Sequence, residues 1–436
     1  MKVKKFGGTS VGSAERIQNV AALISGCRQD IVVLSAMSGT TNSLIEISTA
    51  IKNSDAELAM RKVAQLNDKY SEVIDDLYSK DDFKTSASGI LDDIFGQLAA
   101  LAAQPYSQQL EKEIVAKGEI MSTNLMNIYL HQQGINSILL PALDFMKIDR
   151  HGEPDMKFMR DSLNKLLSEN PDADIYLTQG FICKNEYGEI DNLQRGGSDY
   201  TASLIGAALN ADEIEIWTDI DGMHNNDPRF VEDTRPVHNL HFEEAAELAY
   251  FGAKILHPTC ILPAREHNVP VRLLNTLDPS AEGTLIENKM CGNAIKAVAA
   301  KDNITAIKIK SGRMLLAYGF LKKVFEIFEK YETPIDMITT SEVGVSLTID
   351  NEKNLDRIVE DLNRLGTVSI DRDMVIVCVV GDLEWKNRGF EAKALEALCN
   401  VPVRMISYGG SNYNISFLIR KEDKIRALRM LSYHLF

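Results

Sequence analysis

A lysine placed just before paired glycines and hydroxyls is the first chemical signal of the chain, in Val3-Lys4-Lys5-Phe6-Gly7-Gly8-Thr9-Ser10. Gly7 and Gly8 permit a tight turn, and Ser13 can cap the helix that follows. Amides at a helix start favour an anion, and Lys5 adds a full charge beside them. The order is not that of a Walker loop, which needs Lys-Ser/Thr after its last glycine, because Gly12 is followed by Ser13-Ala14. Alone, this stretch reads equally well as a structural turn or a phosphate-holding one. Ser35-Ala36-Met37-Ser38-Gly39-Thr40-Thr41-Asn42 is a second such turn, whose hydroxyls can hold a carboxylate without adding net charge. Arg195-Gly196-Gly197-Ser198-Asp199 is a third: Arg195 suits bidentate carboxylate binding, Ser198 can donate a hydrogen bond, and Asp199 can cap a helix or meet an amine. On its own that motif is more plainly a capped helix with an exposed arginine.

Thr218-Asp219 ends an apolar run and leads into a polar loop reaching Arg229. Its Asp219, Asp221 and Asp227 lack the spacing and closing glutamate of a calcium loop. Lys254 at a helix end and Glu119 at a helix start are ordinary dipole partners when taken singly. Their joint occurrence decides: three hydroxyl- and glycine-rich turns with Lys5, Arg195, Arg229 and Lys254 make a cleft suited to a polyanion.

Such turns need a scaffold that gathers strand ends on one side. Short β-branched runs at Val3–Phe6, Ile31–Ser35, Ser137–Leu140, Ile175–Gln179, Glu213–Trp217 and Val271–Leu274 alternate with helical patterns. That alternation predicts an α/β domain, a mostly parallel sheet sandwiched by helices, with ligands at the carboxyl ends of its strands. Val63, Leu66, Tyr70, Val73, Ile74 and Leu77 keep one apolar face, which predicts an inserted helical subdomain or lid at about 45–116. Residues 275–299, with Pro279, Gly283 and Gly292, read as a linker or crossing segment. Beyond it, two similar stretches follow the order strand, Gly-Phe-initiated helix, strand pair, with Gly319-Phe320 in one and Gly389-Phe390 in the other. They predict a duplicated pair of α+β units over 293–436, after a first domain over 1–292. Units this small should pack together or pair across subunits.

The 436 residues, 45% hydrophobic, are enough for two or three cored domains. A net charge of −15 argues against nucleic acid as the main partner. Cys27, Cys183, Cys260, Cys291, Cys378 and Cys399 show no CxxC or zinc spacing and are expected to be buried thiols in a reducing cytosol. With no apolar signal region and no bilayer-length run, a soluble cytoplasmic protein without a membrane partner is expected.

Lys5-Phe6-Gly7-Gly8-Thr9-Ser10, Gly118-Glu119, Thr178-Gln179-Gly180-Phe181, Arg195-Gly196-Gly197-Ser198-Asp199-Tyr200-Thr201, Trp217-Thr218-Asp219, Asp227-Pro228-Arg229 and Phe251-Gly252-Ala253-Lys254 resemble, in the same order, the motifs of aspartate kinases. These are members of the amino acid kinase family that phosphorylate the β-carboxylate of L-aspartate. The last third resembles their tandem ACT regulatory modules, notably at Ile338-Thr339-Thr340-Ser341-Glu342, and the monofunctional form, without a homoserine dehydrogenase extension after Phe436, is expected. The resemblance implies the amino acid kinase fold followed by two ACT-like units. It implies ATP with Mg²⁺ as cofactors and the first step of lysine, threonine and methionine biosynthesis. It makes Lys5, Gly8 and Asp199 catalytic, with Asp199 orienting rather than acting as a base. Ser35, Thr41, Glu119, Phe181, Arg195 and Ser198 would surround aspartate. Lys5, Phe6, Gly7, Gly8, Thr218, Asp219, His224, Arg229, Lys254 and Ile255 would surround ATP, His224 standing where the family often has a tyrosine. Met314, Gly319, Phe320, Asp336, Thr340, Ser341 and Glu342 would take an amino-acid effector, lysine in preference to threonine. A homodimer through the ACT-like units, or a tetramer, is the expected assembly. The alternatives are a glutamate or acetylglutamate kinase of the same core fold and a catalytically idle amino-acid sensor.

Overall fold

The structure, a computed structural model, describes residues 1–193, 196–252, 258–289, 292, 295–312 and 318–436. The chain gathers into two compact units, Met1–Gly222 with Leu256–Asn288, and Met223–Ile255 with Lys289–Phe436. The loop carrying Asp227-Pro228-Arg229 thus groups with the carboxyl-terminal residues.

Along the first unit run β1 (Val3–Phe6), α1 (Ala14–Ile24), β2 (Asp30–Leu34), α2 (Thr40–Lys52), α3 (Ala56–Leu77), α4 (Asp81–Ala102), α5 (Gln108–Gln132), β3 (Ser137–Leu139), α6 (Met156–Glu169), β4 (Ile175–Gln179), β5 (Ile182–Lys184), β6 (Ile190–Asn192), α7 (Gly197–Leu209) and β7 (Ile214–Thr218). β8 (Asn239–His241) and α8 (Phe242–Tyr250) fall in the second unit, after which α9 (Pro258–Glu266), β9 (Val271–Asn275) and β10 (Thr284–Glu287) complete the first. Within the first unit the sheet order is β3-β4-β2-β1-β7-β9-β10, parallel except for β10, which runs antiparallel to β9. The predicted parallel sheet is present, and β2 is buried at every position, as a strand covered on both faces must be.

The helical excursion is not a separate lid. α3 buries Val63, Leu66, Tyr70, Ile74 and Leu77 in one continuous apolar cluster with Phe6, Val32 and Leu34 of the sheet. The reason is α5, whose buried residues from Leu110 to Gln132 lie all round the helix, so it joins the sheet to α2 and α4, on which α3 packs.

The second unit continues with β11 (Ile295–Lys310), α10 (Phe320–Lys330), β12 (Ile338–Ser341), β13 (Gly344–Ile349), α11 (Leu355–Asn363), β14 (Thr367–Gly381), α12 (Phe390–Ala397), β15 (Val403–Tyr408), β16 (Asn414–Arg420) and α13 (Lys424–Leu435). Its strands form one six-stranded antiparallel sheet, β12-β13-β11-β14-β16-β15. The duplication appears as two apolar cores, one around Ile307, Val324, Phe328 and Leu347, the other around Val377, Ala394, Phe417 and Leu428. The expected linker is in part structured: Pro279 and Gly283 mark only the turn between β9 and β10, and β11 already begins at Ile295. β11 reads as a shorter strand in the sequence because Asp302 and Asn303 interrupt its apolar pattern, where Asn303 takes φ 61 and the register shifts. Of the cysteines, Cys27, Cys183, Cys260 and Cys378 are buried as expected, Cys399 is exposed, and Cys291 lies outside the described residues. Among the described residues no helix is long and apolar enough to cross a membrane.

Candidate active site

The sheet changes direction of growth at β1, which has β2 on one side and β7 on the other, and an open α/β sheet presents its ligand crevice at such a point. Phe6 is in register with Leu34 and with Trp217, so the turns after all three strands start at one level. Backbone hydrogen bonds then join them. Gly7 N–H donates to Trp217 O (3.3 Å), Ser35 N–H to Phe6 O (3.2 Å), Ser38 N–H to Gly8 O (3.1 Å) and Gly180 N–H to Leu34 O (2.9 Å). Gly8 is required by contact, since a Cβ there would lie 2.7 Å from Ala36 O.

These turns enclose a pocket of ≈ 430 Å³. Of the residues expected around aspartate, Ser35, Thr41, Glu119, Phe181 and Ser198 all line it, as does Gly8. Lys5 and Asp199, at the ends of β1 and the start of α7, form an ion pair at 2.6 Å with both side chains largely buried. Arg195, the expected carboxylate clamp, lies outside the described residues.

Glu119 reaches the pocket from the middle of α5, not from a helix start as the sequence suggested. It is 5% exposed; Oε1 accepts Ala36 N–H at 3.2 Å, and Oε2 is buried with no hydrogen-bond partner. Burial pushes its carboxyl up to about 7, against the opposing pull of the Ala36 amide and the Lys5 charge. A buried carboxylate oxygen without a donor, in a pocket lined by Thr9, Ser35, Ser38, Thr41 and Ser198, is what an incoming ammonium would satisfy.

The helix starts divide unexpectedly. Ser13 caps α1 by accepting Arg16 N–H, so α1 supplies its own acceptor. α2 and α7 begin instead at Gly39 (φ 81) and Gly196 (φ 82), left-handed positions that favour glycine, and neither has a side-chain cap. Their first turns contribute Thr41, Gly197 and Ser198 to the pocket, so uncapped amides and the positive end of two helix dipoles meet there.

Phe181 holds a left-handed conformation (φ 68) that a phenylalanine adopts only when its surroundings impose it. Its N–H donates to Thr201 Oγ1 at 3.0 Å, and its carbonyl accepts Leu193 N–H at 2.7 Å. Gly197 makes room for the ring, since a Cβ there would lie 2.4 Å from Phe181 Cδ2; a Cβ on Gly180 would likewise meet Ser198 Cβ at 2.4 Å. Thr9, which stands in the first motif but was given no site role, lines the pocket, and Gly180 and Thr201 have supporting roles that the motifs did not reveal. The glycines stand in the quoted motifs, but their close contacts are long-range and leave no local signal.

Of the residues expected around ATP, Phe6 is buried in β1 and stacks on Trp217 (5.7 Å between centroids). The Thr218 hydroxyl meets Asp219 Oδ1 at 3.2 Å at the end of β7. His224 and Arg229 belong to the second unit. There His224 Nδ1 lies 3.0 Å from Thr234 Oγ1, and the Arg229 guanidinium is engaged with Asp227 at 2.6 Å. Lys254 and Ile255 lie outside the described residues. Among the described residues no group of three or more His, Cys, Asp or Glu side chains is placed to hold a metal ion.

In the second unit, Gly319 (φ 80) starts α10 without a side-chain cap, and Phe320 enters the core behind it. Asp336 is a buried side chain whose Oδ1 accepts from Lys301 Nζ (2.6 Å) and the Tyr250 hydroxyl (2.7 Å), while Oδ2 is buried without a partner. Thr340, Ser341 and Glu342 are exposed at the β12–β13 turn. Met314 lies outside the described residues.

The model of the amino acid kinase family matches residues 1–275, and an ACT domain model matches residues 377–435. The chain is 32% identical to the lysine-sensitive aspartokinase 3 of Escherichia coli, over 100% of this chain and 99% of that one. Its fold is similar to two crystal structures of E. coli aspartokinase III, both at 32% identity. That with aspartate and ADP (R-state) gives a TM-score of 0.85 over 100% of both chains, and that with lysine and aspartate (T-state) gives 0.82 over 100% of this chain and 99% of that one. On the family match over more than half its length and the end-to-end relative, the chain belongs to the amino acid kinase family, among its ACT-bearing aspartokinases.

Proposed function

We propose that this chain transfers the γ-phosphoryl group of ATP to the β-carboxylate of L-aspartate, releasing ADP and 4-phospho-L-aspartate. The observation that carries the reading is Glu119, a buried carboxylate with an unpartnered oxygen, lining a pocket with Ser35, Thr41, Phe181 and Ser198 beside the Lys5–Asp199 pair. Glu119 receives the α-ammonium of the substrate. Arg195, as the resemblance implies, takes the α-carboxylate, and the hydroxyls with the uncapped amides of α2 and α7 hold the remaining oxygens.

The β-carboxylate is the nucleophile and is already ionised, its reference pKa being about 3.9, so no general base is needed. The difficulty is repulsion between that anion and the triphosphate, and Lys5 relieves it as charge moves to the leaving oxygen. Asp199 orients the Lys5 ammonium. Thr218, Asp219, His224, Arg229, Lys254 and Ile255 are proposed to serve the nucleotide. Mg²⁺ would accompany the phosphates and supply charge neutralisation there, and the oxygens of Asp199, beside Lys5, and of Thr9, in the pocket lining, would suit a hard cation.

We read residues 1–292 as the catalytic domain and 293–436 as a tandem ACT regulatory domain. Lysine is the feedback effector, supported by the lysine-sensitive relative and by the unpartnered Asp336 Oδ2. The working form is a cytoplasmic homodimer, whose contact surface is supported by the exposed apolar residues Tyr318, Leu321, Phe325 and Val343.

Hydroxylamine converts an acyl phosphate into a hydroxamate, so incubation with MgATP, hydroxylamine and each acid in turn tests the reading. Hydroxamate from L-aspartate is expected. Hydroxamate from glutamate but not aspartate overturns the substrate, and none from any acid overturns the enzyme in favour of a sensor.

A further inference from the structure

The helix α3 touches the aspartate pocket at the turn that carries Ser38, Gly39 and Thr41. Lys69 Nζ donates to Ser38 O at 2.8 Å, and it lies 3.6 Å from where a Cβ on Gly39 would stand. One residue on, the Tyr70 hydroxyl meets Thr40 Oγ1 at 3.0 Å, both side chains being wholly buried. Two consecutive residues of α3 therefore fix the turn, one from outside through the carbonyl of the pocket residue Ser38 and one in the core beneath it.

Lys69 places its charge where an anion would be favoured. It puts a positive charge beside the start of α2, whose uncapped amides are already positive and whose first turn holds no acidic residue. Among the described residues Lys69 forms no ion pair. A carboxylate in the pocket resolves this, because it meets the ammonium and the helix end together.

We propose that Lys69 is a substrate-positioning residue: it pins the Ser38–Gly39 turn through the Ser38 carbonyl and supplies positive charge to the carboxylate end of the aspartate pocket, with Tyr70 as its anchor. The inference rests on the pocket taking aspartate. It gives the helical excursion a role in substrate binding, beyond its share of the core.

Full-length Lys69→Met, Lys69→Arg and Tyr70→Phe proteins test it, by initial rates against aspartate and against ATP at low and high salt, with melting temperatures. Lys69→Met should raise the KM for aspartate about tenfold, leave kcat within about twofold and leave the KM for ATP unchanged. Lys69→Arg should recover most of the loss, and the gap between wild type and Lys69→Met should narrow as salt screens the charge. Tyr70→Phe should raise the KM for aspartate by a smaller factor, with no added salt dependence. An unchanged KM for aspartate in Lys69→Met overturns the proposal. So does a parallel rise in both KM values that follows a lowered melting temperature, since that is a folding defect. Wild-type protein that makes no hydroxamate from aspartate overturns the substrate reading itself, whatever Lys69 does.

Discussion

Glu119 is the residue whose environment departs furthest from what its type suggests. Its carboxyl sits at about 7 because burial disfavours the charge, so the ammonium-binding form is populated only as pH rises through that value. We expect kcat/KM for aspartate to rise with pH and level off above about 7, and Glu119→Gln to lose that limb along with roughly 10- to 100-fold of kcat/KM. The same shift sets a stability signature. Between the ordinary glutamate value of 4.5 and about 7 the folded protein keeps a proton that the unfolded chain releases. The contribution of Glu119 to stability therefore falls as pH rises across that window, and Glu119→Gln should gain melting temperature relative to wild type at about pH 8 but not at about pH 4. A wild-type profile flat from about pH 6 to 8 would contradict both. Lys5 acts on charge that develops during transfer, so Lys5→Met should cut turnover at least about a hundredfold while circular dichroism stays that of the wild type.

At the scale of elements, the site depends on glycines that let chain segments approach. A Cβ on Gly180 would meet Ser198 Cβ at 2.4 Å, so Gly180→Ala has to push the start of α7 away from the pocket. Turnover should drop by at least about tenfold while thermal stability falls by only about 1–3 kcal/mol, read by steady-state rates and calorimetry. An alanine variant with wild-type rates would show that the approach of α7 is immaterial. This level also divides what could be read from the chain alone. The strand-end turns were legible because β-branched runs, glycines and hydroxyls are local signals, while the grouping of Ser35, Thr41, Phe181 and Ser198 around one substrate came from the resemblance to aspartate kinases. The capping pattern was legible only in part: Ser13 closes its own helix as its type and place suggest, but nothing local showed that Gly39 and Gly196 leave theirs open. The role of α5 was hidden too, since Glu119 matters through burial, and burial is set by distant packing. β11 and β14 run through both regulatory cores, and the polar break at Asp302-Asn303 made β11 look short.

For the molecule as a whole, the question is how an effector reaches the rate. Asp336 binds Lys301 and the hydroxyl of Tyr250, the last residue of α8, which precedes Phe251-Gly252-Ala253-Lys254. An effector ammonium competing for Asp336 would change the hold on Tyr250. We expect saturating L-lysine to suppress aspartate-dependent turnover, and Asp336→Ala to raise the half-inhibiting lysine concentration at least about tenfold with basal turnover kept, because Lys301 retains Asp350 at 2.9 Å. Threonine suppressing the rate while lysine does not would reassign the effector. Beneath this regulation lies one chemical claim, that a substrate carboxylate oxygen attacks the terminal phosphorus of ATP. It is tested most directly with L-aspartate carrying heavy oxygen in its β-carboxylate, incubated with MgATP and hydroxylamine, followed by mass analysis of the phosphate released. Phosphate bearing one heavy oxygen, in step with hydroxamate formation, is the predicted result. Phosphate with only ordinary oxygen would mean that water, and not aspartate, takes the phosphoryl group, and would contradict the account.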